Sequence, residues 1–154
     1  MPEAPRPEDG QAETGIQMHW VFEAPPEQVW REWTEPERFA DWYGAPSSKV
    51  RPETVSMDVR PGGKWNLVMD SPRGEIHWDG EYVEVDPPRR LSFTVSDEPD
   101  SDLYELCTIE LAETGDGQTE MHFQQSGQLP AEVYRRAREG WTGFFRRVDE
   151  RLAG

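Results

Sequence analysis

The sequence predicts an α+β domain in which a long C-terminal helix lies across the concave face of a curved antiparallel sheet. Two patterns support the sheet: apolar residues alternate along seven segments, and short Gly- and Pro-containing turns separate the last six of them. After Gly127 the spacing of apolar residues changes to three and four, which is typical of an amphipathic helix. Consecutive strands with short turns form an antiparallel meander, whose buried face this helix can cover.

The 154 residues suit a single domain. Residues 1–15 are rich in Pro and acids and contain no large apolar residue after Met1, so they are predicted to be a flexible tail. The domain is predicted to span residues 16–154. Seven Trp, six Phe and four Tyr are expected to supply most of its core, because each ring buries a large apolar area.

The first strand is predicted at residues 18–23, where every second residue is apolar. A Pro-Pro pair at residues 25–26 ends this strand and opens a short helix, because proline is tolerated in a first helical turn. The sequence TEPE at residues 34–37 then predicts a capping box for a second short helix, with Thr34 as its N-cap residue and Glu37 reaching back.

Six more strands are predicted between residues 54 and 125. The first contains the alternating Val55, Met57 and Val59, and the others are centred on residues 65–69, 76–82, 91–95, 107–111 and 121–123. A Gly-Asp-Gly turn at residues 115–117 joins the last two as a hairpin. The long helix is predicted to begin near Pro130 and to continue to about Leu152.

The charge excludes several classes of partner. The chain has 16 Lys and Arg against 31 Asp and Glu, a net charge of -15, so binding to nucleic acid or to an anionic membrane is not expected. The sequence shows neither a signal peptide nor the run of about 20 apolar residues that a membrane span needs, so a cytoplasmic location is expected.

No metal site, cofactor or catalytic residue is predicted. His19, His77 and His122 alternate away from the core face of their strands, and Cys107 is the single cysteine. No nucleophile elbow of the Gly-x-Ser-x-Gly type occurs. The protein is therefore expected to be a binding protein more than an enzyme.

Three segments, at residues 24–44, 60–94 and 140–145, carry a resemblance to a known family, that of bacterial proteins similar to the activator of Hsp90 ATPase (AHSA1-like). The family's opening signature is similar to APPEQVWREWTEPERFADWYG at residues 24–44. Its centre resembles RPGGKWNLVMDSPRGEIHWDGEYVEVDPPRRLSFT at residues 60–94, and its terminal helix resembles GWTGFF at residues 140–145. The resemblance extends over about residues 16–153.

This resemblance implies the helix-grip fold of the START/Bet v 1-like (SRPBCC) superfamily. That fold is a curved seven-stranded antiparallel sheet around a long C-terminal helix, with two short helices after strand 1 and an apolar cavity between sheet and helix. Related families use the cavity for lipids, hormones, pigments or polyketide intermediates. The implied partner is therefore a small hydrophobic molecule, such as a lipid, a polyketide or a polycyclic aromatic, bound by a monomer or weak homodimer.

The candidate binding residues are those whose strand or helix position is predicted to face inward. Among them, Glu105 and Gln125 would orient the ligand, unless Glu105 lies at the open rim and stays solvated. The alternative to an open cavity is a core that the aromatic residues fill. The candidates are Trp42, Met57, Trp65, Leu67, Trp78, Tyr82, Phe93, Glu105, Cys107, Met121, Phe123, Gln125, Trp141 and Phe145.

Two other functions stay open at this point. One is a cyclase or dehydratase-like enzyme acting on a polyketide-type substrate, with Glu105 or Tyr82 as its acid or base. The other is a chaperone- or protein-interaction module, which the family name suggests and which needs an exposed apolar patch. Stimulation of Hsp90 itself is not expected, because in the co-chaperone that activity also needs a separate N-terminal domain.

Overall fold

The computed structural model describes residues 11–12, 15–98 and 103–153. Nine strands and three α-helices occur in this part of the chain, together with a short 3-10 helix at Pro52–Thr54. In chain order they are β1 (Gln11–Ala12), β2 (Gly15–Phe22), α1 (Pro26–Thr34), α2 (Pro36–Trp42), β3 (Lys49–Val50), β4 (Ser56–Met57), β5 (Lys64–Ser71), β6 (Gly74–Asp86), β7 (Arg90–Val95), β8 (Glu105–Glu113), β9 (Thr119–Ser126) and α3 (Ala131–Ala153).

The described strands form one antiparallel sheet in the order β1-β2-β9-β8-β7-β6-β5-β3, with β4 also paired to β5. The first long strand, β2, lies beside the last, β9, from the pair Gly15–Ser126 to the pair Phe22–Thr119. Strands β5 to β9 follow one another as the predicted meander. The predicted α+β helix-grip fold, with seven strands, two short helices and a long C-terminal helix, is confirmed. The strands β1 and β3, each of two residues, are additions.

The core is a cluster of aromatic rings between the sheet and the helices. Its centre is Trp33 of α1, which is 1% exposed and contacts rings from every layer. These neighbours are Phe39 and Trp42 of α2, Phe93 of β7, Phe123 of β9, and Trp141 and Phe145 of α3. The interior near α1 is therefore filled by side chains.

Two local predictions are wrong. The N-cap residue of α2 is Glu35, without a side-chain capping bond, because Thr34 still belongs to α1 and its Oγ1 donates to the carbonyl of Trp30 at 2.9 Å. The strand predicted around Val55 and Val59 is shortened to Ser56–Met57. A 3-10 helix precedes this strand, and the chain turns after it, where the amide of Gly63 donates to the carbonyl of Arg60.

The predicted tail, residues 1–15, lies mostly outside the described residues, although Gln11–Ala12 form β1 and Gly15 begins β2. Residues 99–102, between β7 and β8, also lie outside them. In the part of the chain that the structure describes, no helix combines the length and the apolar character that crossing a membrane requires.

Candidate functional site

A cavity of about 420 Å³ lies between α3 and the neighbouring ends of the sheet strands. Its wall combines aromatic and aliphatic side chains with a few polar ones. The lining residues are Tyr43, Trp78, Val95, Ser96, Asp97, Glu98, Leu103, Glu105, Gln125, Leu129, Val133, Ala137, Gly140, Trp141 and Phe144.

The helical wall of the cavity is a continuous stripe of α3. Val133, Ala137, Gly140, Trp141 and Phe144 share one face because their spacing follows the helical repeat. Gly140 leaves the wall open, since a Cβ atom there would meet only the Cζ of Phe144, at 3.8 Å. Part of the cavity volume therefore follows from the missing side chain at this position.

A chain of side-chain hydrogen bonds crosses the strand side of the cavity. The indole Nε1 of Trp141 donates to Oε1 of Gln125 at 2.8 Å, and Nε2 of Gln125 donates to Oε1 of Glu105 at 3.2 Å. The second carboxylate oxygen of Glu105 accepts from the backbone N–H of Gln128 at 3.3 Å. These bonds fix the carboxylate at the wall, where it lies half-buried.

Two polar groups on the wall have no partner among the described residues. The indole Nε1 of Trp78 is buried without a hydrogen bond. Tyr43 is 4% exposed, and its hydroxyl makes no hydrogen bond within the described part of the chain. Burial raises the pKa of Tyr43 well above its ordinary value, with added effects of Cys107 and Asp97, so the phenol stays neutral. Both groups are available to a polar atom of a bound molecule.

The structure separates the predicted binding residues into three places. Trp78, Glu105, Gln125 and Trp141 line the cavity. Met57, Trp65, Tyr82 and Phe93 surround a void of about 10 Å³, which has room for about one water molecule at most. The remaining candidates are buried in the core and line neither space: Trp42, Leu67, Cys107, Met121, Phe123 and Phe145. A filled interior and an open cavity therefore coexist.

Glu105 and Tyr82, the two candidate acid-base groups, do not share a cavity. Burial raises the pKa of Tyr82, and Asp58 adds to this effect, so its hydroxyl stays protonated at neutral pH. The thiol of Cys107 is fully buried, and burial also raises its pKa. Neither group is therefore poised for proton transfer or nucleophilic attack near neutral pH.

The histidines lie away from the cavity. His19 and His122 face each other across β2 and β9 with ring centroids 4.5 Å apart, and His77 is exposed beside Glu75. Within residues 11–12, 15–98 and 103–153, no group of three or more His, Cys, Asp or Glu side chains is arranged to hold a metal ion.

Most residues of the cavity wall are not among the binding residues that the sequence predicts. Val133, Ala137 and Phe144 belong to the apolar stripe that the helical spacing identifies, but the spacing does not separate the cavity side from the core side. Tyr43 follows α2, and its place on the wall depends on how that helix packs. The loop residues Asp97, Glu98, Leu103 and Leu129 follow no periodic pattern that could have identified them.

Comparisons with known proteins agree with this architecture. The family model for activator of Hsp90 ATPase homolog 1-like proteins matches residues 23–153. The crystal structure of a protein from Chromobacterium violaceum is similar with a TM-score of 0.81 and 24% identity, covering 93% of this chain and 99% of that one. A protein from Nitrosomonas europaea gives a TM-score of 0.78 and 25% identity, covering 93% and 96%.

The AHSA1 protein from Silicibacter pomeroyi is also similar, with a TM-score of 0.78 and 22% identity over 90% of this chain and 97% of that one. A search of curated proteins finds no match. The likenesses cover nearly the whole chain, and they show a common fold.

Proposed function

Because this chain belongs to the family of activator of Hsp90 ATPase homolog 1-like proteins, we propose that its cavity binds a small hydrophobic or aromatic molecule. One observation carries the proposal: a cavity of about 420 Å³, lined by aromatic rings and two unpaired polar groups, lies between α3 and the sheet. This volume falls within the roughly 300–1,000 Å³ typical of small-molecule sites.

The aromatic side chains of the cavity wall pack against one another in the absence of a ligand. The ring of Tyr43 lies 5.7 Å from that of Trp78 and 5.4 Å from that of Phe144, measured between centroids. Trp141 lies 5.3 Å from Phe144. Because these rings support one another, binding costs little side-chain entropy, and a flat apolar ligand can stack on a rigid surface.

The unpaired polar groups support the same function. A buried N–H without a partner costs about 1–3 kcal/mol, and a ligand oxygen that accepts from Trp78 Nε1 would recover part of that cost. The Tyr43 hydroxyl can also donate a hydrogen bond to the ligand or accept one from it. The proposed ligand is therefore apolar over most of its surface, with one or two polar atoms.

The proposal also includes the expected partners, location and oligomeric state of the protein. The net charge of -15 supports a protein that binds neither nucleic acid nor anionic membranes. We expect it to be cytoplasmic and a monomer or weak homodimer, and to bind its ligand without a cofactor. The enzymatic alternative would depend on Glu105, because Tyr82 lies at a separate void.

The test is an amide NMR titration against a panel of fatty acids, flavonoids and polycyclic aromatics. We expect shifts at Trp78 in β6 and at Val133 and Trp141 in α3. The variant Gly140→Leu should block them, because its side chain enters the cavity. Glu139→Leu places the same side chain at the preceding, exposed position and should leave binding intact. The proposal would be contradicted if no compound of the panel shifted these amide signals, or if Gly140→Leu bound a compound as tightly as the parent protein does.

A further inference from the structure

The charged side chains on the cavity wall all have the same sign. Asp97, Glu98 and Glu105 line the cavity, and no Lys, Arg or His side chain among the described residues lies on the wall with them. Asp97 and Glu98 are exposed at the rim, whereas Glu105 is half-buried and held by Gln125 and the amide of Gln128. A bound molecule therefore meets negative charge at both the rim and the wall.

The rings beside these acids also favour a cation. Tyr43, Trp78, Trp141 and Phe144 line the same cavity, and a ring face attracts a positive charge within about 6 Å of its centroid. Tyr43 lines the cavity, and its hydroxyl makes no hydrogen bond within the described part of the chain, so this oxygen can accept one from an ammonium group. Charge, ring faces and an unpaired acceptor thus point to one ligand chemistry.

We propose that the cavity selects an amphiphile with a cationic head, namely a hydrophobic or aromatic amine. This inference rests on the proposed function and names the chemical class of the ligand. The ammonium group pairs with the carboxylate of Glu105, and the apolar body stacks against Trp78, Trp141 and Phe144. A ligand oxygen can accept the free N–H of Trp78, which an ammonium group cannot do.

The same arrangement disfavours a carboxylate ligand such as a fatty acid. Its negative head would enter a site with three carboxylates and no basic side chain to neutralise it. The net charge of -15 adds a general repulsion of anions and attraction of cations. The cavity therefore discriminates by charge among ligands of one size.

Three probes of nearly equal shape test this inference: naphthylethylamine, naphthylethanol and naphthylacetate, titrated calorimetrically at low salt. We expect the amine to bind at least about tenfold tighter than the alcohol, and the acetate to bind weakest, because a bond to a charged group exceeds a neutral one by about that factor. The advantage of the amine should shrink in about 1 M salt, which screens exposed charges beyond roughly 3 Å.

Variants separate the cavity from the general surface charge. Glu105→Gln should reduce amine binding about tenfold and change alcohol binding far less, because it removes the negative charge but keeps one oxygen that can accept from Gln125. Glu120→Gln, an exposed position of β9 away from the cavity, removes one charge as a matched control and should leave both unchanged. If Glu105→Gln does not fold, the double variant Asp97→Asn/Glu98→Gln, at exposed positions, should also weaken amine binding.

The outcomes distinguish this inference from the proposed function. If the alcohol or the acetate binds as tightly as the amine, the cationic preference is wrong and the binding function stands. Equal loss of amine affinity in Glu120→Gln would assign the preference to surface charge and overturn the inference. If none of the three binds and the neutral aromatic panel is also silent, both proposals fail.

Discussion

The indole Nε1 of Trp141, in the middle of α3, donates a 2.8 Å hydrogen bond to Oε1 of Gln125 in β9. The same glutamine donates from Nε2 to Glu105 in β8. One buried amide therefore connects the long helix to two strands and orients the carboxylate at the cavity wall. A single residue thus contributes to both the stability and the shape of the cavity.

The first prediction concerns this amide. Gln125→Leu leaves the Trp141 N–H buried without an acceptor, so we expect the free energy of unfolding to fall by about 1–3 kcal/mol. Gln124→Leu, at the exposed neighbouring position, should change it by less than about 0.5 kcal/mol. Urea denaturation followed by circular dichroism measures both. Equal effects of the two variants would show that the bond contributes nothing.

The second prediction concerns a buried carboxylate that joins α1 to the end of α3. Glu32 is 1% exposed and accepts from Nε of Arg151 at 2.5 Å and from Nη1 of Arg38 at 3.3 Å. Arg151→Gln removes the closer charge, so we expect a loss of about 3 kcal/mol in unfolding free energy.

Arg146→Gln is the matched control for Arg151→Gln, because Arg146 is exposed on the same helix and should change stability little. In the double variant Glu32→Gln/Arg151→Gln the buried charge is gone as well, so part of the lost stability should return. A double variant no more stable than Arg151→Gln alone would contradict this explanation.

The third prediction concerns pH. Burial raises the pKa of Asp149, the charge of Glu23 adds to this effect, and the hydrogen bond from Trp20 Nε1 opposes it. The folded protein therefore binds the carboxyl proton of Asp149 more tightly than the unfolded chain does. The contribution of Asp149 to stability is greatest at low pH and falls as the pH rises through the raised pKa.

We therefore expect Asp149→Asn to be more stable than the parent at neutral pH and to lose this advantage as the pH falls through the carboxylate range. Asparagine keeps an oxygen that can accept from Trp20. Glu139→Gln, at an exposed position of α3, should show no such pH-dependent difference. Thermal unfolding at a series of pH values measures it, and an advantage that grows at low pH would contradict the assignment.

The fourth prediction contrasts two glycines. At Gly140 a Cβ atom meets only Phe144 Cζ, at 3.8 Å, so Gly140→Ala should stabilise α3 by about 0.5–1 kcal/mol. At Gly80 a Cβ would overlap the carbonyl oxygen of Thr94, which already accepts from Trp65 Nε1. Gly80→Ala should therefore cost about 3 kcal/mol of unfolding free energy. Chemical denaturation measures the unfolding free energy of both variants. If the two substitutions changed it by similar amounts, the prediction would be wrong.

The architecture was predictable because it follows from periodic patterns that do not depend on distant contacts. The alternation through Trp65 and Leu67 and the helical spacing through Trp141 and Phe145 indicate which side of each element is buried. The capping prediction at Thr34 was wrong because its hydroxyl has a competing acceptor within α1, the carbonyl of Trp30. Sequence alone does not rank such local alternatives.

The cavity was only partly predictable, because inward orientation does not distinguish a packed core from an open wall. Trp65 and Trp78 have the same predicted orientation, yet Trp65 lies against the small void and Trp78 lines the cavity. Phe39 of α2 and Phe93 of β7 pack against Trp65, whereas the space beside Trp78 is bounded by α3. The unpaired hydroxyl of Tyr43 likewise depends on the packing of α2, which no local pattern contains.

The aromatic core has an optical consequence. Trp33 lies 4.8 Å from Trp42 and 6.0 Å from Trp141 between ring centroids, so excitation energy absorbed by one indole passes readily to the others. Trp141 also forms part of the cavity wall. A quencher or acceptor dye in the cavity would therefore quench the ultraviolet emission of the buried indoles as well as that of the tryptophan it touches. The protein thus contains its own fluorescent reporter of cavity occupancy.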